Sequence, residues 1–366
     1  MTLTMQQWIF VESYGRYTLD LGDSNVELAD ITTVPGFAEI TTVPLGYGHQ
    51  AGLPELRAAI AARYHNVDPA DVLVCHGAQE AFSLLVRSLE ITDRSEAVVI
   101  GSGWSQHTYY PAEVGLSVVT VALDPCEHTL LAAVAEAVTW RTKVIVVATP
   151  ENPTGWTASR DFIEAVADIA DAYDAVLVVD EEYVCDPDMS AAGISDCVAV
   201  ISGLSKLHGL PGLRIGWCIA TADLVDRCTQ RKHLTTISNS VLCESIATAI
   251  LRDGDRFLAR ARTLCRSGAH TLQEWASVLP QVSIVNARDD LPFAWLRIDK
   301  SLDSLAVARR ALDEGVLVIP GEVFDRPGYL RVAIARPPVD LDRGLKVLAR
   351  AVCGPRLDPL TAGGRA

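Results

Sequence analysis

The sequence predicts an α/β fold, with a mostly parallel central sheet in a large domain and a smaller α+β domain appended. Three observations carry this. From about residue 55, short β-rich runs alternate with segments of helical period. The runs AVVI (97–100), KVIVVAT (143–149), AVLVVD (175–180) and VAVISG (198–203) are apolar throughout, as strands covered on both faces are. After about residue 222 the rhythm changes to a long helical stretch followed by shorter strands.

The elements follow in order. LPELRAAIAARY (53–64) has apolar residues at helical spacing, VLVC (72–75) reads as a strand, and a helix follows through Gln79–Ser88. SVVTVAL (117–123) is a further strand. TLLAAVAEAV (129–138) and SRDFIEAVADIADAY (159–173) are helices between strands, which argues for parallel crossovers. A helical stretch covers roughly 238–277. Beyond it come the strands VSIV, FAWLRI, VLVIP and YLRVAI and the helices 304–314 and 340–352. The expected boundaries are an arm or part of the small domain at 1–45, a large domain at 46–250, a small domain at 251–355 and a frayed tail at 356–366.

Composition narrows the function classes. Of 366 residues, 49% are hydrophobic and 21% charged, which suits a packed core and excludes a mainly disordered chain. The formal net charge of −15 makes nucleic acid and anionic membrane poor default partners. The nine cysteines are dispersed, with no Cys-x-x-Cys pair, which fits reduced thiols in the cytoplasm and no metal site. The N-terminus lacks a signal-peptide pattern, and no apolar run approaches the ~20 residues that span a bilayer. Lysine is scarce: Lys143, Lys206, Lys232, Lys300 and Lys346 are the only candidates for amine chemistry.

The central signal is SGLSKLHGLPGLRIG (202–216). It sets Ser205 and Lys206 just past a buried strand, in a loop with Gly209, Pro211, Gly212 and Arg214. Such a lysine either snorkels to water or is desolvated or covalently engaged. VVDEEY (178–183) ends another buried strand with Asp180, a residue that caps a turn or partners a cation. TPENPTG (149–155) is a rigid turn carrying Asn152. CHGAQEAF (75–82) opens a helix at Gly77, Ala78 and Gln79 with no conventional side-chain cap, leaving N–H groups for an anion. Trp104 follows the next strand, as a core aromatic or a stacking ring. GYLRVAIARP (328–337) holds Arg331, suited to an ion pair or to a bidentate grip on carboxylate.

Residues 203–216 resemble the lysine signature of the fold-type I, class I/II aminotransferases, which use pyridoxal 5′-phosphate. With the motifs above in the same chain order, the resemblance spans residues 45 to 335. It implies the fold-type I architecture and an enzyme acting on an α-amino acid. Lys206 would be the Schiff-base lysine and proton shuttle. Gly77, Ala78, Gln79, Ser205 and Arg214 would hold the phosphate. Asp180 would face the ring nitrogen, Asn152 and Tyr183 the ring oxygen, and Trp104 the ring plane. Tyr47 would reach the phosphate of a neighbouring subunit, so a homodimer is implied, and Arg331 and Asn25 would bind substrate. The signature departs at Gly203, where many members carry Ser or Thr, and Ser202 is the candidate replacement for that hydroxyl.

The reaction is less constrained, because transamination, elimination, replacement and cyclisation share these residues. The leading expectation is an aminotransferase. The alternative is a cyclase, lyase or β/γ-replacement enzyme of specialised metabolism, since 209–225 and 316–324 resemble capreomycidine synthase-like cyclases that act on an arginine-type substrate. A non-catalytic cofactor-binding sensor is a third class. Asp20, Asp23, Glu27 and Asp30 form an acidic segment without a basic residue. It reads as a solvated loop or as the mouth of a site for a cationic substrate.

Overall fold

The computed structural model describes residues 3–36, 40, 42–101 and 103–354, so the expected tail at 356–366 lies outside the described residues. The chain forms two units. One comprises Leu28–Asn152 and Trp156–Phe257, the other Met1–Glu27, Pro153–Gly155 and the chain from Leu258. The expected boundaries at 45 and 250 therefore move to 27 and 257. The reason lies in packing. Ala29 N donates to Gly209 O at 2.9 Å, and Val34, Ile40, Ile250 and Phe257 join the core of the larger unit.

The larger unit is built on a seven-stranded sheet. In spatial order its strands are Val72–Cys75, Gly216–Ile219, Val198–Gly203, Val176–Asp180, Thr142–Ala148, Glu96–Ile100 and Ser117–Val121. Gly216–Ile219 is antiparallel to both neighbours and the other pairings are parallel. Alternate residues face opposite sides of a strand. Val98, Ile145, Leu177, Val179 and Val200 enter one core, while Val99, Val146, Val178 and Ile201 enter the other. Both faces are covered, which explains the unbroken apolar runs. Gly216–Ile219 was not expected as a strand, since a four-residue apolar run after a glycine-rich loop carries no directional signal.

Helices flank the sheet where expected. Ser159 caps Arg160–Ala172 by accepting from Phe162 N at 3.1 Å, and Pro54–Ala61 carries proline at its first turn. The single helical stretch expected at 238–277 is two helices, Val241–Arg252 and Arg256–Ser277. Gly254, at φ +77°, breaks the run.

The smaller unit holds a four-stranded antiparallel sheet in the order Ile319–Pro320, Tyr329–Ala333, Phe293–Ile298, Val282–Asn286. Its helices include Ser304–Asp313 and Pro338–Cys353. Leu19–Asp20 pairs in parallel with Val316–Leu317, and Trp8, fully buried, donates its indole N–H to Val318 O at 2.9 Å. These contacts tie the N-terminal residues to this unit.

A second lysine is engaged. Lys232 is completely buried, and its Nζ donates to Val74 O at 2.6 Å and to Asn239 Oδ1. A buried ammonium needs such partners. Asn239→Ala is expected to lower the unfolding free energy by about 2 kcal/mol, as for a lost hydrogen bond to a charge. Urea unfolding measures it, and an unchanged midpoint would refute the role.

Candidate active site

In the larger unit, the parallel strands end along one edge of the sheet. That is where open α/β sheets bind ligands. Five strand ends supply the expected residues in turn.

After Val72–Cys75 the chain turns at Gly77, whose φ is +84°. The helix Ala78–Arg87 starts there with no side-chain cap, so its first N–H groups are directed at a ligand position. Arg214 reaches this turn, its Nη2 donating to His76 O at 3.3 Å. A Cβ at Gly77 would stand 2.6 Å from that nitrogen. His76 is fixed by Glu80, which accepts from its backbone N at 2.6 Å and lies 3.0 Å from its Nδ1. Burial raises the Glu80 carboxyl, but hydrogen bonds from His76 and Thr236 outweigh it and hold it at about 2. Gln79 turns its amide to Tyr110 Oη at 3.0 Å, so its contribution here is the backbone N–H.

Val176–Asp180 ends in the expected carboxylate. Asp180 Oδ2 lies 3.0 Å from His107 Nε2, and Oδ1 accepts from Glu182 N at 3.1 Å. His107 is buried at 4% exposure and packs edge-on against Phe82. The sequence reading missed His107. Its signal was present: three residues past Trp104, it lies in the first turn of the helix Gln106–Glu113, beyond the next strand end. Trp104 is half-buried just before that helix. Asn152 and Tyr183 are both buried at 7% exposure. Gly103 lets the chain lie against Asn152, because a Cβ there would clash with Asn152 O.

Val198–Gly203 delivers Ser205, buried, and Lys206, half-buried. The loop is closed on itself: Leu204 N donates to Ile215 O at 3.0 Å and Leu210 N to Leu204 O at 3.1 Å. Arg214 adopts a left-handed backbone, φ 53°, before the chain returns as Gly216–Ile219. Ser202 donates its hydroxyl to Glu181 O at 3.2 Å, in a small cavity with Tyr64 and Trp217.

That cavity is rich in buried titratable groups. Burial pushes the Glu181 carboxyl up to about 7, against hydrogen bonds from Ala191 N and Ser190 Oγ, and pushes His208 down to about 3, with help from Arg63. Tyr47 is 87% exposed.

Two expected residues belong to the smaller unit. Arg331 is 2% exposed and donates from Nη2 to Gly22 O at 2.6 Å, its guanidinium 5.4 Å from the Phe324 ring centre. Asn25 is buried, and its amide donates to Val26 O at 2.9 Å. Arg336, to which the sequence reading gave no role, clamps this segment by donating to the carbonyls of Asp20, Asn25 and Asp23. The acidic segment is largely structural. Asp20 accepts from Gly22 N and Asp23 N, Asp30 accepts from Thr32 N, and Glu27 lies 3.8 Å from Arg336.

Chemically, the larger unit offers a cation and a helix N-terminus for a phosphate, a histidine-supported carboxylate for a protonated ring atom, and an amine for an electrophilic carbon. These residues fit pyridoxal 5′-phosphate.

Two outcomes follow. Gly77→Ala combines left-handed strain of roughly 1–3 kcal/mol with a methyl against Arg214, so phosphate affinity is expected to fall about tenfold or more in a binding titration. Glu181 binds its proton more tightly when folded than when unfolded. Its contribution is therefore present below pH 4.5 and is lost as pH rises to about 7. Relative to Glu181→Gln, the wild type is expected to lose stability between pH 5 and 7.5. Urea unfolding at the two pH values reads this, and a constant gap would contradict it.

Comparison with known proteins agrees with this geometry. The family described as aminotransferase class I and II matches residues 34–348. Capreomycidine synthase of Streptomyces vinaceus is 28% identical, over 86% of this chain and 82% of its own. An aspartate aminotransferase of Streptomyces avermitilis is also 28% identical, over 82% of this chain and 79% of its own. The crystal structure of a PLP-dependent aminotransferase from Streptococcus suis superposes with a TM-score of 0.86 at 24% identity, covering 95% of this chain and 96% of that one. The match over most of the chain decides the matter: this protein belongs to the aminotransferase class I and II family, and its cofactor is pyridoxal 5′-phosphate.

Proposed function

We propose that the protein is an amino-acid aminotransferase, working as a cytoplasmic homodimer in which the larger unit is the cofactor domain. The observation that carries this is the convergence, at one sheet edge, of the Lys206 loop, the Asp180–His107 pair and the Gly77–Arg214 turn. When bound, the cofactor supplies an electron-withdrawing ring that stabilises negative charge at the substrate Cα.

The chain's own residues do the rest. Arg214, Ser205 and the N–H groups of Ala78 and Gln79 hold the phosphate. Asp180 keeps the proton on the ring nitrogen, and the 3.0 Å contact with His107 fixes the carboxylate's orientation. Asn152 and Tyr183 hold the ring oxygen, and Trp104 covers the ring face. Lys206 would hold the cofactor through its Nζ and would serve as the base that takes the proton from the substrate Cα. Arg331, with Asn25 beside Gly22, grips the substrate α-carboxylate.

Two features support the dimer and its compartment. Tyr47 and Leu45 are 87% and 81% exposed, an apolar surface that a second copy would cover while Tyr47 reaches that copy's phosphate. Among the described residues none of the nine cysteines forms a disulfide, which suits a reducing compartment.

The second reading is a cyclase, lyase or replacement enzyme. The 28% identity to capreomycidine synthase over 86% of this chain favours it. Mass spectrometry of amino-acid panels with and without a 2-oxo acid separates the two. Transfer that requires the acceptor supports the first reading. Full turnover of one amino acid without any acceptor sinks it. Lys206→Ala is expected to cost about 10²–10⁴-fold in turnover and to abolish the covalent adduct that borohydride traps on the wild type. An adduct that survives on another lysine would overturn the assignment.

A further inference from the structure

Glu182 has no part in the mechanism above, yet it lies between Asp180 and Tyr183 in the chain. The residue is partly accessible, but its Oε1 is sealed from solvent and accepts no hydrogen bond among the described residues. Gly203 makes the room. A Cβ there would stand 2.9 Å from Glu182 Oε1 and 3.0 Å from Ile215 O. The carboxyl thus holds the space that the side chain expected three residues before Lys206 would need. The charges acting on it are Lys206 and Arg214, both cationic, and Asp180, which opposes them. The cavity beside it adds Arg63, Tyr64, Glu181, Cys185, Asp186 and His208.

Burial pushes this carboxyl up most; Lys206 pulls it down, Asp180 pushes it up, Arg214 pulls it down, and the balance is about 7. Near neutral pH, then, the free protein holds Glu182 between its two states. A phosphate on Arg214 offsets one of its two supporting cations, which favours the protonated acid.

We propose that Glu182 takes up one proton from solvent when the cofactor's phosphate is bound, so that cofactor capture is coupled to protonation of a carboxyl beside the reacting lysine. No other bond is made or broken in this step: the proton passes from water or buffer to a Glu182 carboxylate oxygen. The inference rests on the cofactor reading above.

Isothermal calorimetry of pyridoxal 5′-phosphate binding, in buffers of different ionisation enthalpy, measures the proton count directly. The wild type is expected to take up about half a proton more per site than Glu182→Gln at pH 7, rising toward one at pH 8, with affinity falling up to about tenfold per pH unit above 7. Pyridoxal, which lacks the phosphate, is expected to bind the wild type with less uptake. That comparison decides the matter even where Glu182→Gln fails to fold. Equal uptake in wild type and variant, or with and without the phosphate group, overturns the proposal while leaving the cofactor reading intact. A protein that binds no pyridoxal 5′-phosphate at any pH overturns both.

Discussion

The site depends on bare backbone meeting bare backbone. A Cβ at Gly216 would stand 2.4 Å from Ala78 N and from Gly77 C, so only glycine lets the returning strand lie against the start of the helix. That contact does two things. It brings Arg214, two residues earlier, over the Gly77 turn, and it fixes the far end of the lysine loop. Each glycine serves both motifs, so the anion turn and the amine are one construction. Placing Gly216–Ile219 between Val72–Cys75 and Val198–Gly203 is what makes the contact possible.

Charge is distributed around this construction by burial. Asp180 has a histidine partner and a backbone N–H. Glu181, one residue on, accepts from Ser190 and Ala191, and burial dominates it. Glu182 lines the same cavity and feels Lys206 and Arg214. Asp180 raises the carboxyls of both, so the three consecutive acids act on one another.

Much of this was legible beforehand. Strands buried on both faces announce themselves as continuous apolar runs, and Lys206, Asp180 and Arg331 follow recognisable runs. What escaped the reading depends on tertiary neighbours. His107 gains its meaning from Asp180, 73 residues away. Lys232 looked like an ordinary helical lysine, and its burial depends on Val74 and Asn239. The acids at 20–30 were read by charge, and two of them, Asp20 and Asp30, accept from neighbouring backbone N–H groups. The helix break at Gly254 was readable from Asp-Gly-Asp at 253–255 and was overlooked.

The lysine loop has one more consequence. It is a hairpin between adjacent strands, pinned within 204–215 by its own backbone hydrogen bonds. Closing so short a loop costs little chain entropy, and its shape owes little to distant sequence. Substitutions elsewhere can therefore remodel the walls around the amine without displacing it. A scaffold of this kind lets the surroundings of a loop diverge while the loop itself stays still. Relatives equally distant from this chain accordingly bear the names of a synthase and a transaminase.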